Sequence, residues 1–288
     1  MAPRDRLRLT LLAGLLFRPG WGISRGRVSQ EALTPHTRFV VYYGTAGTPA
    51  LYDNDIAVLD SDIDGAVLAR FAPRTLLLGY LSVGEVHKGR SYAAEIDRQG
   101  MLLSPNPAWP DARFIDVRDP RWKQRVVDEL VPAMLRRGFR GLFIDTLDSV
   151  AFLEQADPAE FGGMMLAAAD IVSTIRRAFP DMPIMVNRGY ALLPRIASEI
   201  DMLMGESVHT TFDATSESYV RVSADALRWQ LDRLNEARRR RPSLKLFSLD
   251  YWDPADTAGL VQIYAEARAN GLIPYVATID LSRVVVRP

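Results

Sequence analysis

The stretch from Gly141 to Asp148 combines a short apolar run with two carboxylates, and it has the clearest capacity for chemistry in the sequence. Its residues are Gly-Leu-Phe-Ile-Asp-Thr-Leu-Asp, so three apolar side chains lead directly into Asp145. A short apolar run bounded by glycine is typical of a buried strand. A carboxylate at the end of such a strand is costly unless water, a partner or a substrate meets it. Asp145 is therefore either a loop or helix N-cap residue or part of a functional site.

Other predicted strands end in the same way, which favours the functional interpretation. The residues at or just past eight predicted strand ends are Tyr43, Asp60, Glu85, Asp145, Asn187, Glu206, Asp250 and Thr278. Five of these eight are acids. Because like charges repel one another, packing stability alone would not gather them on one rim. Each acid taken singly could be a cap or an ion-pair partner of Arg188 or another arginine, but together they predict a site.

The elements that would position these residues alternate along the chain. Strands are predicted near residues 39, 56, 75, 141, 183, 201, 244 and 273, mostly with helices between them. Eight such units in 288 residues predict a single-domain (β/α)8 TIM barrel, in which the C-terminal strand ends share one face. The alternative is a doubly wound open sheet. That fold normally has a glycine-rich phosphate turn after its first strand, and Tyr43-Gly44-Thr45 is not one.

Two connecting segments stand out. The clearest helix begins at Asp119-Pro120, where Asp is a good N-cap and Pro suits the first helical position, and it ends at Gly138. Before it, we expect a long loop that contains Tyr92 and Trp109, followed by a short extended piece from Phe114 to Val117. Long loops in compact domains are usually functional.

Composition narrows the possible classes of function. The chain is 48% hydrophobic and 24% charged, and its formal net charge is zero. No global attraction to nucleic acid or to an anionic membrane follows from that balance. The basic run Arg238 to Arg241 ends a helical pattern, where cations favour the helix dipole and face water, so we expect no nucleic-acid partner. The absence of cysteine excludes disulfides, thiolate metal sites and a cysteine nucleophile.

The N-terminus differs from the rest of the chain. Arg4, Arg6 and Arg8 precede the apolar run from Leu9 to Phe17, which is too short to span a bilayer but suits a secretory signal. We therefore expect residues 1–28 to form a signal-like or anchoring segment, 29–37 a linker and 38–288 the catalytic barrel. The protein would be secreted or held at the cell envelope. A simple extension without a targeting role is the alternative, since no clear small-x-small cleavage site follows.

A face rich in carboxylates and aromatic side chains, with few histidines, suits a carbohydrate. Aromatic faces stack on sugar rings, and acids hydrogen-bond hydroxyl groups. Glycosidic bonds are broken by two carboxyl groups, of which one protonates the leaving oxygen and the other acts as nucleophile or activates water. We predict Asp145 and Glu206 as this pair. The residues predicted to bind substrate are Tyr43, Asp60, Tyr80, Glu85, Asp148, Asn187, Asp250, Tyr251 and Trp252. For Tyr80, simple core packing is an equal alternative.

Two competing chemistries have weaker support. Gly84 to Ser91 resembles a phosphate loop, but Arg90 stands where that loop requires lysine. His87 and His209 both fall just beyond strand ends and could join acids around a metal, but neither His-x-His nor His-Glu-x-x-His spacing is present. We therefore predict neither a metal site nor a cofactor.

Three segments also carry a family resemblance. They are Gly-Tyr-Leu-Ser-Val-Gly-Glu at 79–85, Phe-Ile-Asp-Val-Arg-Asp-Pro-Arg-Trp at 114–122 and Gly-Phe-Arg-Gly-Leu-Phe-Ile-Asp-Thr-Leu-Asp at 138–148. They resemble glycoside hydrolase family 114, which includes the endo-α-1,4-polygalactosaminidases, over roughly residues 38–280. The resemblance implies a mostly secreted TIM barrel that cuts α-1,4-linked galactosamine-containing exopolysaccharide without a metal. It places the family's catalytic Asp on Asp145 and its catalytic Glu on Glu206. One departure is Arg140-Gly141, where the family usually has Asp-Gly.

The leading hypothesis is thus a monomeric, endo-acting, retaining glycosidase whose partner is a polysaccharide. Asp145 would be the nucleophile and Glu206 the acid/base, while Glu85, Asp60 and Asp250 would bind the sugar. A second hypothesis is a barrel that binds polysaccharide without cleaving it. A third is a metal-dependent hydrolase.

Overall fold

The structure, a computed structural model, describes residues 33–288. The predicted signal-like or anchoring segment, residues 1–28, lies outside the described residues, as does the beginning of the predicted linker. Within the rest of that linker, Leu33 is buried against the core of the domain.

Eight parallel strands form one sheet in the order β1-β2-β3-β7-β8-β9-β12-β13. In chain order the strands of the described residues are β1 (Phe39–Tyr42), β2 (Ile56–Leu59), β3 (Leu76–Ser82), β4 (Glu85–His87), β5 (Leu102–Asn106), β6 (Trp109–Ile115), β7 (Gly141–Asp145), β8 (Ile184–Asn187), β9 (Met202–Glu206), β10 (Thr210–Asp213), β11 (Ser218–Arg221), β12 (Lys245–Tyr251) and β13 (Ile273–Ala277). The first and last strands of the sheet lie beside each other, with the rings of Phe39 and Tyr275 5.8 Å apart. The predicted TIM barrel is confirmed.

Helices connect most of these strands. They are α1 (Pro49–Tyr52), α2 (Gly65–Leu68), α3 (Ala93–Arg98), α4 (Pro120–Gln124), α5 (Val131–Arg137), α6 (Leu147–Ala156), α7 (Pro158–Phe161), α8 (Met164–Ala178), α9 (Leu193–Ile196), α10 (Ala224–Arg240) and α11 (Thr257–Ala269). Within residues 33–288, none of the helices combines the length and the apolar character needed to cross a bilayer.

The helix predicted after Asp119-Pro120 forms, although not as one regular α-helix. The Asp119 side chain caps it by accepting a hydrogen bond from Arg121 N at 2.9 Å, and Gly138 ends it in the left-handed conformation. A π-helical stretch, Arg125–Leu130, joins α4 to α5 just before Pro132. Proline has no N–H to continue the α-helical pattern, which accounts for the widened turn.

The barrel strands are mostly apolar because helices or barrel-filling side chains cover both of their faces. Phe39, Phe143, Phe247 and Tyr275 are almost completely buried between them. The strand register places the C-terminal ends at the same face with a small stagger: Ser82 pairs with Asp145, Asn187 with Met204 and Glu206 with Leu249. These ends therefore form one rim, as the sequence predicted.

Two small antiparallel sheets are inserted between elements of the barrel. Strands β4, β6 and β5 form a three-stranded sheet between β3 and α4, which corrects the prediction of a long loop with one extended piece. Strands β10 and β11 form a hairpin that follows β9. These strands are only partly buried, so their sequences lack the continuous apolar runs that revealed the barrel strands.

We predict that Gly141→Ala destabilises the barrel, whereas Gly65→Ala does not. A Cβ atom at Gly141 would lie 2.5 Å from Pro183 O and 2.6 Å from Leu78 Cδ2, so neighbouring barrel strands would have to move apart. Such overpacking costs about 1–3 kcal/mol. Gly65 is the first residue of α2 and a Cβ there meets nothing within 4 Å, so alanine should be neutral or slightly stabilising. Urea unfolding of both variants tests this; equal midpoints would contradict it.

Candidate active site

Three neighbouring barrel strands each end in a polar residue that faces the same opening. Asp145 is the last residue of β7, Asn187 of β8 and Glu206 of β9. Because β8 lies between β7 and β9 in the sheet, the Asn187 side chain lies between the two carboxylates. Parallel strands of a barrel deliver their C-terminal residues to a common face, so the topology itself brings these three groups together.

The backbone turns sharply after each of these three residues. Thr146, Arg188 and Ser207 have φ values of 65°, 49° and 54°, a left-handed conformation that non-glycine residues adopt rarely. Each turn is held by hydrogen bonds, such as Gly84 N to Thr146 Oγ1 at 2.8 Å. Gly84 has no room for a side chain, since a Cβ would lie 2.3 Å from Thr146 O. The repeated turn leads the chain away from the strand and leaves the preceding side chain aimed into the opening.

Asn187 joins the two acids. Its amide Nδ2 donates hydrogen bonds to Asp145 Oδ1 at 3.0 Å and to Glu206 Oε2 at 2.6 Å. Because both oxygens lie within hydrogen-bonding distance of one nitrogen, they are less than about 6 Å apart. Two carboxyl groups at this separation can act on a single bond.

Two tyrosines complete the hydrogen bonding of the pair. The Tyr251 hydroxyl donates to Glu206 Oε1 at 2.6 Å, and the Tyr80 hydroxyl hydrogen-bonds Asp145. Burial, followed by the nearby carboxylates, raises the pKa of both phenols well above the ordinary value. Both tyrosines therefore stay protonated and act as donors toward the acids.

Asp145 holds its proton more tightly than an ordinary aspartate. Burial raises its pKa to about 6, and the negative charge of Glu206 adds to the effect. Hydrogen bonds from Asn187, Thr146 N and Tyr80 favour the ionised form and limit the rise. The pair is thus coupled: loss of the charge on Glu206 would make Asp145 easier to ionise.

A cleft of about 810 Å³ opens above the pair. Of the predicted site residues, those that line it are Tyr43, Asp60, Tyr80, Glu85, Asp145, Asp148, Asn187, Glu206 and Tyr251. Seven carboxylates but only two arginines, Arg90 and Arg188, line its walls. The cleft is therefore strongly acidic even though the chain as a whole has no net charge.

The two arginines each neutralise part of this charge. Arg90 bonds both oxygens of Asp60, at 2.9 and 2.8 Å, and although burial alone would raise the pKa of Asp60, this contact lowers it. Arg188 Nε lies 2.8 Å from Asp148 Oδ2. Burial nevertheless dominates at Asp148 and raises its pKa.

Several lining residues were not predicted from the sequence. They are Asp62, Arg90, Asn106, Trp109, Ser149, Arg188 and Asp280. Asn106 and Ser149 both donate hydrogen bonds to the buried Glu85 carboxylate. Most of the seven stand in connecting segments. They could not be found from polar residues at or just past the ends of predicted barrel strands. Arg188 is the exception, because it directly follows Asn187 at the end of a predicted strand.

Two predicted substrate-binding residues lie outside the cleft lining. Asp250 is completely buried, and its Oδ1 accepts hydrogen bonds from His209 N at 2.6 Å and Thr210 N at 3.0 Å. This carboxylate anchors the chain that follows Glu206, which corrects its assignment to substrate. Trp252 donates from Nε1 to Asp256 at 2.9 Å, and it too belongs to the supporting structure.

The two histidines considered as metal ligands are far from sharing a site. His209 is buried beside Asp250, with its Nδ1 3.2 Å from Asp250 Oδ2, whereas His87 lines the cleft and its Nδ1 accepts a hydrogen bond from Gly89 N. Among residues 33–288, no group of three or more histidine, aspartate or glutamate side chains is arranged to hold a metal ion.

Comparison with known proteins gives a consistent picture. The family model described as glycoside-hydrolase family GH114 matches residues 25–288. The glycoside hydrolase domain of PelA from Pseudomonas aeruginosa is 25% identical, with a TM-score of 0.72 over 85% of this chain and 96% of that one. Ega3 of Aspergillus fumigatus, solved in complex with galactosamine, shares the fold at 14% identity, with a TM-score of 0.63 over 91% of this chain and 98% of that one. An uncharacterized protein of Thermotoga maritima is 24% identical over 252 residues, which are 79% of this chain and 75% of that protein.

We predict that Asp145→Asn stabilises the fold at pH 7. The pKa of Asp145 is about 6 in the folded protein and about 4 in the unfolded chain, so between those pH values the folded state holds the extra proton. The free energy of unfolding therefore falls as pH rises through this window, and the loss persists above it. Asparagine does not ionise and therefore avoids this decrease in the free energy of unfolding. The decrease is about 1–2 kcal/mol after allowance for water in the cleft.

Thermal melts at pH 7 and pH 4 test this prediction. The Asp145→Asn variant should melt roughly 2–6 °C above the wild type at pH 7 and show little gain at pH 4. Asp225→Asn, at an exposed position on α10, is the matched control and should change neither melt. An equal gain at both pH values would contradict the electrostatic explanation.

We predict that Asp250→Ala weakens the fold by about 3 kcal/mol, because it leaves two buried N–H groups and the His209 ring without their acceptor. Asp225→Ala, which removes a carboxylate that is 91% exposed, should change stability little. Urea unfolding measures both. An unchanged midpoint for Asp250→Ala, together with weaker sugar binding, would restore its assignment to substrate.

Proposed function

The chain belongs to glycoside-hydrolase family GH114, and we propose that it hydrolyses an α-1,4-linked, galactosamine-containing polysaccharide through Asp145 and Glu206. The family makes the protein a glycosidase. The substrate follows from the resemblance of its motifs to the polygalactosaminidases and from the charge of its cleft. The observation that carries the proposal is the shared hydrogen bonding of the two carboxylates to Asn187 at the floor of that cleft.

The separation of the acids favours retention of configuration. Retaining glycosidases hold their two carboxyl groups about 5–5.5 Å apart, whereas inverting enzymes need about 6.5–9.5 Å to admit a water molecule between acid and sugar. Because Asp145 Oδ1 and Glu206 Oε2 share one amide nitrogen, they lie less than about 6 Å apart, which is below the inverting range. We therefore assign Asp145 as the nucleophile and Glu206 as the acid/base.

The reaction would proceed in two steps. Glu206 gives its proton to the glycosidic oxygen while Asp145 attacks the anomeric carbon, so the leaving chain departs as an alcohol and a glycosyl ester forms on Asp145. In the second step the ionised Glu206 takes a proton from a water molecule. The oxygen of that water attacks the anomeric carbon, and the ester bond to Asp145 breaks. Because the charge of Glu206 raises the pKa of Asp145, a protonated Glu206 helps Asp145 to remain ionised for the first step.

The cleft charge suits a polymer with free amino groups. Glu85 and Asp280 line the cleft and accept hydrogen bonds from neutral groups, namely Asn106 and Ser149 for Glu85 and Thr278 and Ser282 for Asp280. These carboxylates keep their negative charge available to an ammonium group. An acidic cleft also concentrates cationic ligands and speeds their association.

An endo-acting enzyme fits the size of the cleft. Its volume of about 810 Å³ lies in the upper part of the range of about 300–1,000 Å³ for small-molecule sites. Its lining extends from the acidic pair at the ends of β7 and β9 across the barrel mouth to Asp60, after β2, and Asp280, after β13. A chain can therefore lie across the pair with sugar units on either side of the cleaved bond.

We predict that Glu206→Gln abolishes hydrolysis of de-N-acetylated galactosamine polymer, with a rate loss of at least about 1,000-fold, because glutamine cannot supply the proton. Mass spectrometry of the products measures the loss, and a thermal melt confirms that the variant folds. Glu160→Gln, which changes an exposed carboxylate on α7, is the matched control and should retain full activity.

Three outcomes would decide against the proposal. Wild-type rates in Glu206→Gln would remove that residue from the mechanism. Polymer binding without chain shortening by the wild-type protein would favour a non-catalytic binding barrel. Activity that is lost with a chelator and recovered with added metal would favour a metal-dependent hydrolase.

A further inference from the structure

Trp109 presents a large apolar surface at the edge of the cleft. It is the first residue of β6, at the tip of the β5–β6 hairpin, and it is 62% exposed while lining the cleft. An exposed indole in a ligand cleft offers a flat face on which a sugar ring can stack. The same face attracts a cation placed above it.

The hairpin that carries the indole is linked to a carboxylate of the cleft through Asn106. Trp109 lies directly opposite Asn106 in the β5–β6 register, and residues directly opposite one another point to the same face of a sheet. The Asn106 amide donates to Glu85 Oε1 at 2.9 Å, and Ser149 of α6 donates to the same oxygen. Glu85 itself belongs to β4, which pairs with β6. Asn106 therefore connects the two residues, since it pairs with Trp109 and hydrogen-bonds Glu85, and both of them line the cleft.

This sheet is separate from the strands that carry the catalytic pair. Asp145 and Glu206 end barrel strands, whereas Trp109 stands at the tip of a hairpin inserted between β3 and α4. Because the indole is exposed at the edge of the cleft while Asp145 and Glu206 lie at the barrel strand ends on its floor, we expect a sugar against Trp109 to be a different unit of the polymer from the one attacked by Asp145.

We propose that Trp109 and Glu85 form a subsite for a protonated 2-amino-2-deoxyhexose unit of the chain, away from the bond that is cleaved. The indole stacks on the ring and attracts its ammonium group, while the Glu85 carboxylate neutralises that charge. The subsite rests on the proposed function, since it deepens the recognition of the same polymer. Its consequence is that longer, de-N-acetylated chains bind more tightly than short or acetylated ones.

Calorimetric titration of galactosamine oligomers of increasing length tests the subsite. The titration uses the Glu206→Gln variant, which binds without cleaving, alone and combined with Trp109→Ala. Loss of the indole should weaken binding of long oligomers about five- to tenfold and leave the shortest ligands unaffected. Trp109→Phe should retain most of the affinity. With fully N-acetylated oligomers the effect of Trp109→Ala should be clearly smaller, because the ammonium group is absent.

Trp229→Ala is the matched control. Trp229 is 49% exposed on α10, packs edge to face on Tyr190 with ring centroids 5.5 Å apart, and lies outside the cleft lining. Its loss should leave the affinity for every oligomer unchanged.

The outcomes separate this proposal from the function itself. If the wild-type enzyme shortens the polymer but Trp109→Ala binds all oligomers as tightly as its parent, the subsite is wrong and the hydrolase stands. If Trp109→Ala weakens long oligomers but the wild type cleaves nothing, the subsite stands in a binding barrel. Equal losses for the shortest and longest ligands would place Trp109 at the cleavage position, and failure of any oligomer to bind would overturn both proposals.

Discussion

The amide of Asn187 is the contact on which the active site depends. It holds two carboxyl groups together that would repel each other if both were ionised, and the tyrosine hydroxyls of Tyr80 and Tyr251 support them from the other side. Neutral donors of this kind stabilise the negative charge of a carboxylate and leave its net charge in place. An arginine would neutralise that charge. The pair can therefore carry a proton on one acid while the other acid stays ionised. That asymmetry is what two-step cleavage of an acetal requires.

The position of this contact requires strained backbone conformations at the ends of the barrel strands. The three site-bearing strands end at residues with left-handed backbones, and the turn at Thr146 also depends on a glycine, Gly84, whose α-carbon has no space for a substituent. Such conformations cost free energy and persist only where the surrounding structure enforces them. Here the enforcing structure is a large apolar core in continuous parallel strands. The favourable free energy of packing that core offsets the conformational free energy that the strained turns cost.

The sequence predicted the strands and most of the rim because both depend on short-range patterns. Apolar runs predicted all eight barrel strands, and the polar residues at the C-terminal ends of these runs included Asp145, Asn187 and Glu206. The prediction failed at Asp250 because a position near a strand end does not determine which way the side chain points. Strand β12 continues to Tyr251, so alternation turns Tyr251 toward Glu206 and Asp250 into the interior. Contacts such as Arg90 with Asp60, which are thirty residues apart, depend on the tertiary fold and leave no local pattern.

The inserted sheet that carries Glu85 and Trp109 has a further consequence for how such a barrel can evolve. It is joined to the barrel between β3 and α4, while the bond-breaking groups stand on other strands. If the tip binds a sugar unit as proposed, changes in its length or sequence alter which polymer the protein prefers without disturbing the acid pair. Under the functions proposed above, substrate range and bond cleavage belong to separate parts of the fold, so a tip from one relative placed on the barrel of another is expected to transfer the polymer preference alone.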